Sequence, residues 1–447
     1  MEMHQPPKKM VEISPSQWMI FGFGMIILLG AFLLALPIAS VTGESIGITD
    51  AMFMATSAVC VTGLASVDPA TTFTMFGEIV LILLVQIGGL GFMTFGVIIA
   101  MLLGKRLGLK ERLIIQESTR SASVQGLVRL SLNIFLIAFL FEVTGAAILT
   151  MYWASDFGFG LAAYYGVFHA ISAFNNGGFA LWPDSLSRHA GDPVVNLVIS
   201  FLFIAGGIGF TVLMDLYRNR RWSRFSLNTK IVLLASFLLS AGGFAAIFIL
   251  ELLNPNTTWM SWGDRVWSSY FQAVTPRSGG FNTVDIGAMM TATQFLIIFL
   301  MFIGASSGST GGGIKVNTFI VLVLAMYSTI RGREQVHVFD RRIPTEIILR
   351  ALAVIIISLG VLLFVSFLLT ITEPNQDFIA LLFEATSAFA TVGLSMNLTP
   401  HLSDLGKWVI MGTMFIGRLG PLTLAFALSQ KRRESKIGYA EEKVLIG

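Results

Sequence analysis

Four short stretches of this chain carry the groups that can hold a cation stripped of its water. Each begins at a Phe-x-Ala segment, at Phe53, Phe168, Phe271 and Phe383, and reaches a glycine ten, ten, nine and ten residues later, at Gly63, Gly178, Gly280 and Gly393. A large apolar residue follows every time: Leu64, Phe179, Phe281 and Leu394. The candidate ion-lining strands are Cys60-Val61-Thr62-Gly63, Asn175-Asn176-Gly177-Gly178, Arg277-Ser278-Gly279-Gly280 and Ala390-Thr391-Val392-Gly393. Their common donors are backbone carbonyls. Aiming successive carbonyls at one axis requires alternating left-handed dihedrals, which glycine adopts without steric cost. A missing side chain also lets four strands approach one another closely.

Such loops need rigid supports. The segments that precede them, for example Asp50 to Ala58 and Asp377 to Ala388, are too short to cross a bilayer and are predicted to be re-entrant half-helices. Non-helical backbone survives at membrane depth only where it lines a cavity or is buried in protein. Asp50 and Asp377 suit the N-terminal ends. The C-terminal ends, each with about half a negative charge, would favour a cation on the axis.

The composition supplies the membrane. Of 447 residues, 55% are hydrophobic and 12% charged, well below the about 25% charged residues of soluble domains. Eight apolar runs, near 17–37, 74–103, 130–152, 193–217, 228–253, 291–330, 345–371 and 405–428, are each long enough for a ~30 Å hydrocarbon core. A glycine-rich knot recurs in every second run: Gly88-Gly89-Leu90-Gly91, Gly206-Gly207-Ile208-Gly209, Gly312-Gly313-Ile314-Lys315 and Gly417-Arg418-Leu419-Gly420. Close helix packing accounts for most of these knots. The expected fold is all-α and polytopic: four pseudo-symmetric units of helix, half-helix and helix around one pore. The units span 14–104, 128–218, 228–330 and 345–430. They are joined by linkers 105–127, 219–227 and 331–344, and flanked by an N-terminus 1–13 and a tail 431–447.

The sixth run is too long. As one helix, residues 291–330 would measure about 60 Å, twice the hydrocarbon core. The stretch Gly304, Ala305, Ser306, Ser307, Gly308, Ser309, Thr310, Gly311, Gly312, Gly313, Ile314, Lys315 predicts a break there, forming a loop below the filter strands. Its glycines superficially resemble a phosphate-binding loop, but Ile314 replaces the required lysine and no strand precedes it. Lys315 and Arg418 are charges at membrane depth. One reading makes them structural ion pairs with Glu78, Glu142 or Glu384. The other, favoured because intramembrane charges usually line pathways, makes 304–313 a gate with Arg418 beside it. Arg277 is expected to brace its loop from behind, against an acid. Cys60 is expected to be a small buried residue, and His169 and Glu384 to make hydrogen bonds on the half-helices.

Several function classes are excluded. The lone Cys60 precludes an internal disulfide, and five scattered histidines offer no metal-binding pair. The basic residues do not form a nucleic-acid patch; they concentrate in the termini and the three linkers. The opposite linkers hold only Arg188, Arg265 and Lys407, against acids such as Asp50, Asp68, Asp184, Asp264 and Asp404. The positive-inside tendency puts both termini in the cytoplasm and an acidic, cation-concentrating vestibule outside. A coupled sodium or proton symporter would need paired intramembrane carboxylates, and a polytopic enzyme would need clustered His, Asp or Cys. A plain membrane anchor leaves four filters unexplained.

Thr391-Val392-Gly393 matches the Thr-Val-Gly core of potassium-channel filters, where carbonyls replace the hydration shell. With the four loops, the 304–315 stretch and Gly417-Arg418-Leu419-Gly420, the chain resembles the Trk/Ktr/HKT superfamily of potassium transporters, and within it the membrane subunits of bacterial Ktr systems. That resemblance implies potassium uptake through a channel-like pore. Filter glycines, with Gly63 in the first position, go with potassium preference. It also implies an intramembrane gate at 304–313, a pore-lining arginine at Arg418, a homodimer, and a cytosolic ring of RCK-domain subunits. The nucleotide, ATP or ADP, would then bind the ring, and this chain would carry no cofactor beyond the transported potassium ion. Basic loops and the apolar tip of the tail are the implied docking surfaces.

Overall fold

The computed structural model describes residues 15–91, 127–258, 260–333 and 335–420. The N-terminal segment 1–13, most of the linker 105–127, the end of the second apolar run and the tail 431–447 lie outside the described residues.

Fourteen helices are named here. They are α1 (Pro15–Leu34), α2 (Ile48–Val59), α3 (Met75–Leu90), α4 (Leu127–Phe157), α5 (Phe159–Phe174), α6 (Pro193–Gly207), α7 (Phe210–Arg218), α8 (Leu227–Leu252), α9 (Trp262–Val274), α10 (Thr291–Phe302), α11 (Val316–Ile330), α12 (Thr345–Thr372), α13 (Phe378–Ala390) and α14 (Asp404–Leu419). A two-residue hairpin, His337–Val338 with Arg341–Arg342, folds the basic linker before α12.

Long and short helices bury opposite amounts of surface. The long apolar helices α1, α4, α8 and α12 are long enough to cross a membrane, yet only 28–39% of their apolar windows is buried. Their outer faces expose Phe21, Leu28, Phe139, Phe237, Leu363 and Phe367. The short helices are the interior. In α2, Ala51 and every residue from Phe53 to Val59 is buried, and in α13 every residue from Phe383 to Ala390. Phe53, Phe168, Phe271 and Phe383 are all within 2% of complete burial. An exterior as apolar as the core is the pattern of a protein solvated by hydrocarbon.

Polar caps start several helices. Asp192 accepts from the amides of Val194 and Val195 with Pro193 at the first helical position of α6, Ser261 and Asp264 form a reciprocal capping box on α9, and Ser403 caps α14. The expected cap at Asp50 is absent. Gly47 occupies the N-cap position of α2, and Asp50, the third residue of the helix, accepts from Lys407 Nζ at 2.7 Å. Asp377 does precede α13, but its side chain makes no capping bond.

The second apolar run of each unit departs from expectation. Only the sixth run was predicted to break, whereas the described helices stop or turn at every knot. α6 and α7 meet at 98°, and α3 and α14 end at Gly91 and Gly420. The last glycine of these knots has positive φ: 82° at Gly91, 96° at Gly209 and 86° at Gly420. That conformation ends an α-helix. The earlier glycines pack as expected. A Cβ on Gly88, Gly206 or Gly417 would collide with the carbonyl of Val59, Phe174 or Phe389 respectively, each near the end of a short helix.

Gly88→Ala, Gly206→Ala and Gly417→Ala are therefore expected to cost about 1–3 kcal/mol each. Gly242→Ala on α8, where a Cβ meets nothing within 4 Å, is expected to be neutral or slightly stabilising. Thermal unfolding midpoints in detergent test this; equal losses at all four positions would refute the packing account.

Candidate functional site

The four predicted strands meet in a ring. A side chain on Gly63 would lie 2.7 Å from the Gly177 carbonyl oxygen. One on Gly178 would lie 2.9 Å from the Gly280 Cα, and one on Gly280 2.5 Å from the Val392 carbonyl oxygen. One on Gly393 would strike the Thr62 carbonyl. Each loop thus touches the next, and the fourth returns to the first. The filter glycines have φ of 93°, 70°, 78° and 92°.

The second residue of each strand is also left-handed: Val61 at φ 55°, Asn176 at 61°, Ser278 at 108° and Thr391 at 50°. These residues are not glycine, and Val61 and Thr391 are β-branched, for which positive φ is a true outlier. Strain of this kind, of order 1–3 kcal/mol, persists only where the surroundings impose it.

Hydroxyl groups impose it. Ser57 and Ser387 Oγ accept from the amides of Gly63 and Gly393, both at 3.1 Å. Ser172 Oγ and Thr275 Oγ1 donate to the carbonyls of Phe179 and Phe281 at 2.8 and 2.7 Å. Each hydroxyl lies four residues after its phenylalanine, so the fuller motif is Phe-x-Ala-x-Ser/Thr. The hydroxyl position is legible in the sequence as a fixed spacing from the phenylalanine. It also explains the short third spacing: Pro276 tightens the turn after Thr275 into a 3-10 helix, so the loop reaches its glycine one residue early.

The stretch between α10 and α11 is a loop, as predicted, and it seats against the inner end of these strands. It fills the break between α6 and α7. The Ser306 and Thr310 amides donate to the Gly207 and Gly206 carbonyls at 2.9 and 3.2 Å, and the Phe210 amide donates to the Gly308 carbonyl at 2.9 Å. Asn176 Nδ2 donates to Thr310 Oγ1 at 2.9 Å, and the Gly312 amide donates to Thr391 Oγ1 at 2.9 Å. A Cβ on Gly311 would meet Ser278. Three of the four left-handed residues therefore touch this loop.

Both intramembrane cations bond backbone carbonyls. Arg418 donates to the carbonyls of Thr310, Gly88 and Gly89, tying α14 to the loop and to the α3 knot. Lys315 Nζ donates to Gly311 and Gly312 carbonyls within its own loop. The three acids have other partners: Glu78 accepts from Tyr164, Glu142 from Gln86 and Asn175, and Glu384 from Ser395 and Thr399. Arg277 does brace its loop from behind, but against α8. It donates to the Ser236 carbonyl, Ser236 Oγ and Ser240 Oγ at 3.1, 2.9 and 3.5 Å. Its side chain leaves the strand, so only its backbone belongs to the ring. Cys60 is buried, and His169 bonds the Tyr165 carbonyl and the Leu181 amide.

On the far side of the ring lies a cavity of about 400 Å³ lined by all four filter glycines, with Asp68, Asp184 and Asp285 on its walls. Asp68 and Asp184 were expected there. Asp285 was not singled out; it accepts from the Gly287 amide and from Asn397 Nδ2. The arrangement stacks three layers: a cavity walled by aspartates, a ring of glycine strands at four helix C-termini, and a polar loop seated against the inner side.

Known proteins match this chain over nearly its whole length. The family model of TrkH, described as a cation transport protein, matches residues 23–436. Ktr system potassium uptake protein B of Bacillus subtilis (strain 168) is 48% identical over 440 residues, 98% of each chain. The protein of the same name in Vibrio alginolyticus is 41% identical over 96% of this chain and 94% of its own. The potassium/sodium uptake protein NtpJ of Enterococcus hirae is 36% identical over 97% and 98%. The crystal structure of the potassium transporter TrkH from Vibrio parahaemolyticus aligns with a TM-score of 0.71, covering 95% of this chain and 87% of that one. At 19% identity this shows a common fold.

Ser57→Ala and Ser387→Ala each remove one strand-bracing bond and are expected to cost about 1 kcal/mol. The exposed Ser155→Ala is expected to change nothing. Unfolding midpoints decide it; unchanged midpoints in the first pair would show that the hydroxyls do not hold the strands.

Proposed function

The chain belongs to the TrkH family of cation transport proteins, and from that premise we propose that it is the pore subunit of a potassium uptake system in the cell membrane. The observation that carries the reading is the closed ring of four glycine strands, left-handed at alternate residues. It is supported by relatives that are transport proteins named for potassium, not enzymes. The chain is read as four units of outer helix, pore helix and inner helix, with both termini cytoplasmic.

In this reading a hydrated cation is drawn into the vestibule by Asp68, Asp184 and Asp285 and exchanges its water for carbonyls of the strands at 60–63, 175–178, 277–280 and 390–393. The C-terminal ends of α2, α5, α9 and α13 add negative potential. The ion then meets residues 304–313, the gate, pinned at Thr310 by Arg418 and Asn176. Driven by membrane potential, entry gains about 2.3 kcal/mol per charge for each 100 mV, so no coupled ion is required. A Ktr-type system has further subunits. The proposed partners are a second copy of this chain and a cytosolic RCK-domain ring that binds ATP or ADP and moves the loop.

The first test is potassium against sodium flux into proteoliposomes holding this chain under a negative-inside potential. Selective potassium entry, alone or after addition of the nucleotide-loaded ring, is expected; no flux in either case would sink the reading. Deleting 306–311, or Arg418→Gln, should raise flux several-fold by removing the barrier, and unchanged flux would take the loop out of the gating role. Gly280→Ser, which puts a side chain where the Val392 carbonyl sits, should lower the potassium-to-sodium ratio. An unchanged ratio would exclude the ring as the filter.

A further inference from the structure

Arg277 is a cation at membrane depth whose partners are all neutral. Its guanidinium bonds the Ser236 carbonyl and the hydroxyls of Ser236 and Ser240, while its Nε is buried with no acceptor among the described residues. Among the described residues no carboxylate bonds it, where an acid was expected. Intramembrane charges of this kind ordinarily find a counter-charge or serve a site.

The guanidinium also opens onto something. A groove of about 410 Å³ runs between α6, α8 and α9, with Arg277 on its wall and Phe203, Ile204, Phe237, Phe244 and Val274 among its lining. Phe237 is 69% exposed, and Leu234 and Leu238 beside it are exposed too, on a helix long and apolar enough to cross the bilayer. The groove therefore faces the acyl chains of the membrane. Its inner end is Gly207 and Ile208, at the α6–α7 break, where the Gly207 carbonyl accepts from Ser306 in the 304–315 loop.

We propose that this groove binds a long-chain fatty acid, its carboxylate paired with Arg277 and its chain along Phe203, Phe237 and Phe244. Charge complementarity selects an anion, and the apolar walls select an acyl chain. Depth selects between lipid classes. Ser236 and Ser240 are the tenth and fourteenth residues of α8, so Arg277 sits roughly 14–20 Å along that helix, near the middle of a ~30 Å core. A phosphodiester stays ionised and tied to glycerol and two chains at the interface, whereas a carboxylic acid on a single chain can enter the hydrocarbon as its neutral form and give its proton up beside the guanidinium. An occupant here neutralises a charge beside the third strand and touches the hinge of the loop, which makes the groove a lateral input to the ring from the bilayer.

The test reads binding, so its failure is separate from any failure of the transport reading. The protein, in phosphatidylcholine vesicles, is photolabelled with a diazirine-bearing palmitate and with its methyl ester, and the labelled peptides are mapped. The acid is expected to label α8 and α9 peptides and to be displaced by palmitate but not by phosphatidylglycerol. Arg277→Gln should weaken labelling roughly tenfold or more. Ala241→Trp, which fills the groove and leaves Arg277 in place, should abolish it and covers the case in which Arg277→Gln does not fold. Equal labelling by acid and ester, displacement by phosphatidylglycerol, labelling that survives Ala241→Trp, or no labelling of folded protein would each overturn the proposal. Retention of the α8 contact by a second copy of the chain in place of label would do so as well.

Discussion

Backbone that leaves a helix inside an apolar protein must find its hydrogen-bond partners within the protein, and the interior of this molecule is organised around that demand. The four strands form no sheet ladder with one another, so their backbone groups need other partners. Their amides and flanking carbonyls are taken up by one hydroxyl per pore helix, at Ser57, Ser172, Thr275 and Ser387. The break between α6 and α7 frees the Gly206 and Gly207 carbonyls, and the 304–315 loop supplies the amides they need. Two irregular segments satisfy each other where bulk water is absent.

The same demand gives two strong cations at membrane depth their backbone partners. Arg418 donates to carbonyls of the α3 knot and of the 304–315 loop, and Lys315 to carbonyls of that loop. Arg418 thereby joins three segments distant in sequence, α14, the α3 knot and the 304–315 loop, through one guanidinium. Arg277 follows the same rule on the other side of the third strand, with neutral oxygens of α8 as its acceptors.

Close approach is the second requirement, and glycine meets it in two different ways. In the ring, neighbouring carbonyls and backbone occupy the space a side chain would take. In the knots, the early glycines let inner helices touch the carbonyls at the pore-helix ends, while the last glycine ends the helix through positive φ. The ring also holds Val61 and Thr391 in left-handed geometry, each two residues before a glycine whose amide is bound by a serine hydroxyl, with the loop as a further contact at Thr391.

By itself the sequence determined the class of molecule, the four loops, the break in 291–330 and the acidic mouth, because these rest on hydrophobic run length, glycine spacing and charge sign, all local quantities. It also held the hydroxyl of Phe-x-Ala-x-Ser/Thr in plain view. Only the tertiary structure decided what each polar group faces. Arg277 was expected to meet an acid and meets serines; Asp50 was expected to cap and instead binds Lys407, far along the chain. The breaks at Gly91, Gly209 and Gly420 likewise depend on what surrounds them. A glycine in an apolar run is compatible with a straight helix; at Gly91 and Gly209 the carbonyls near the break take their donors from Arg418 and from Ser306 and Thr310, residues distant in sequence.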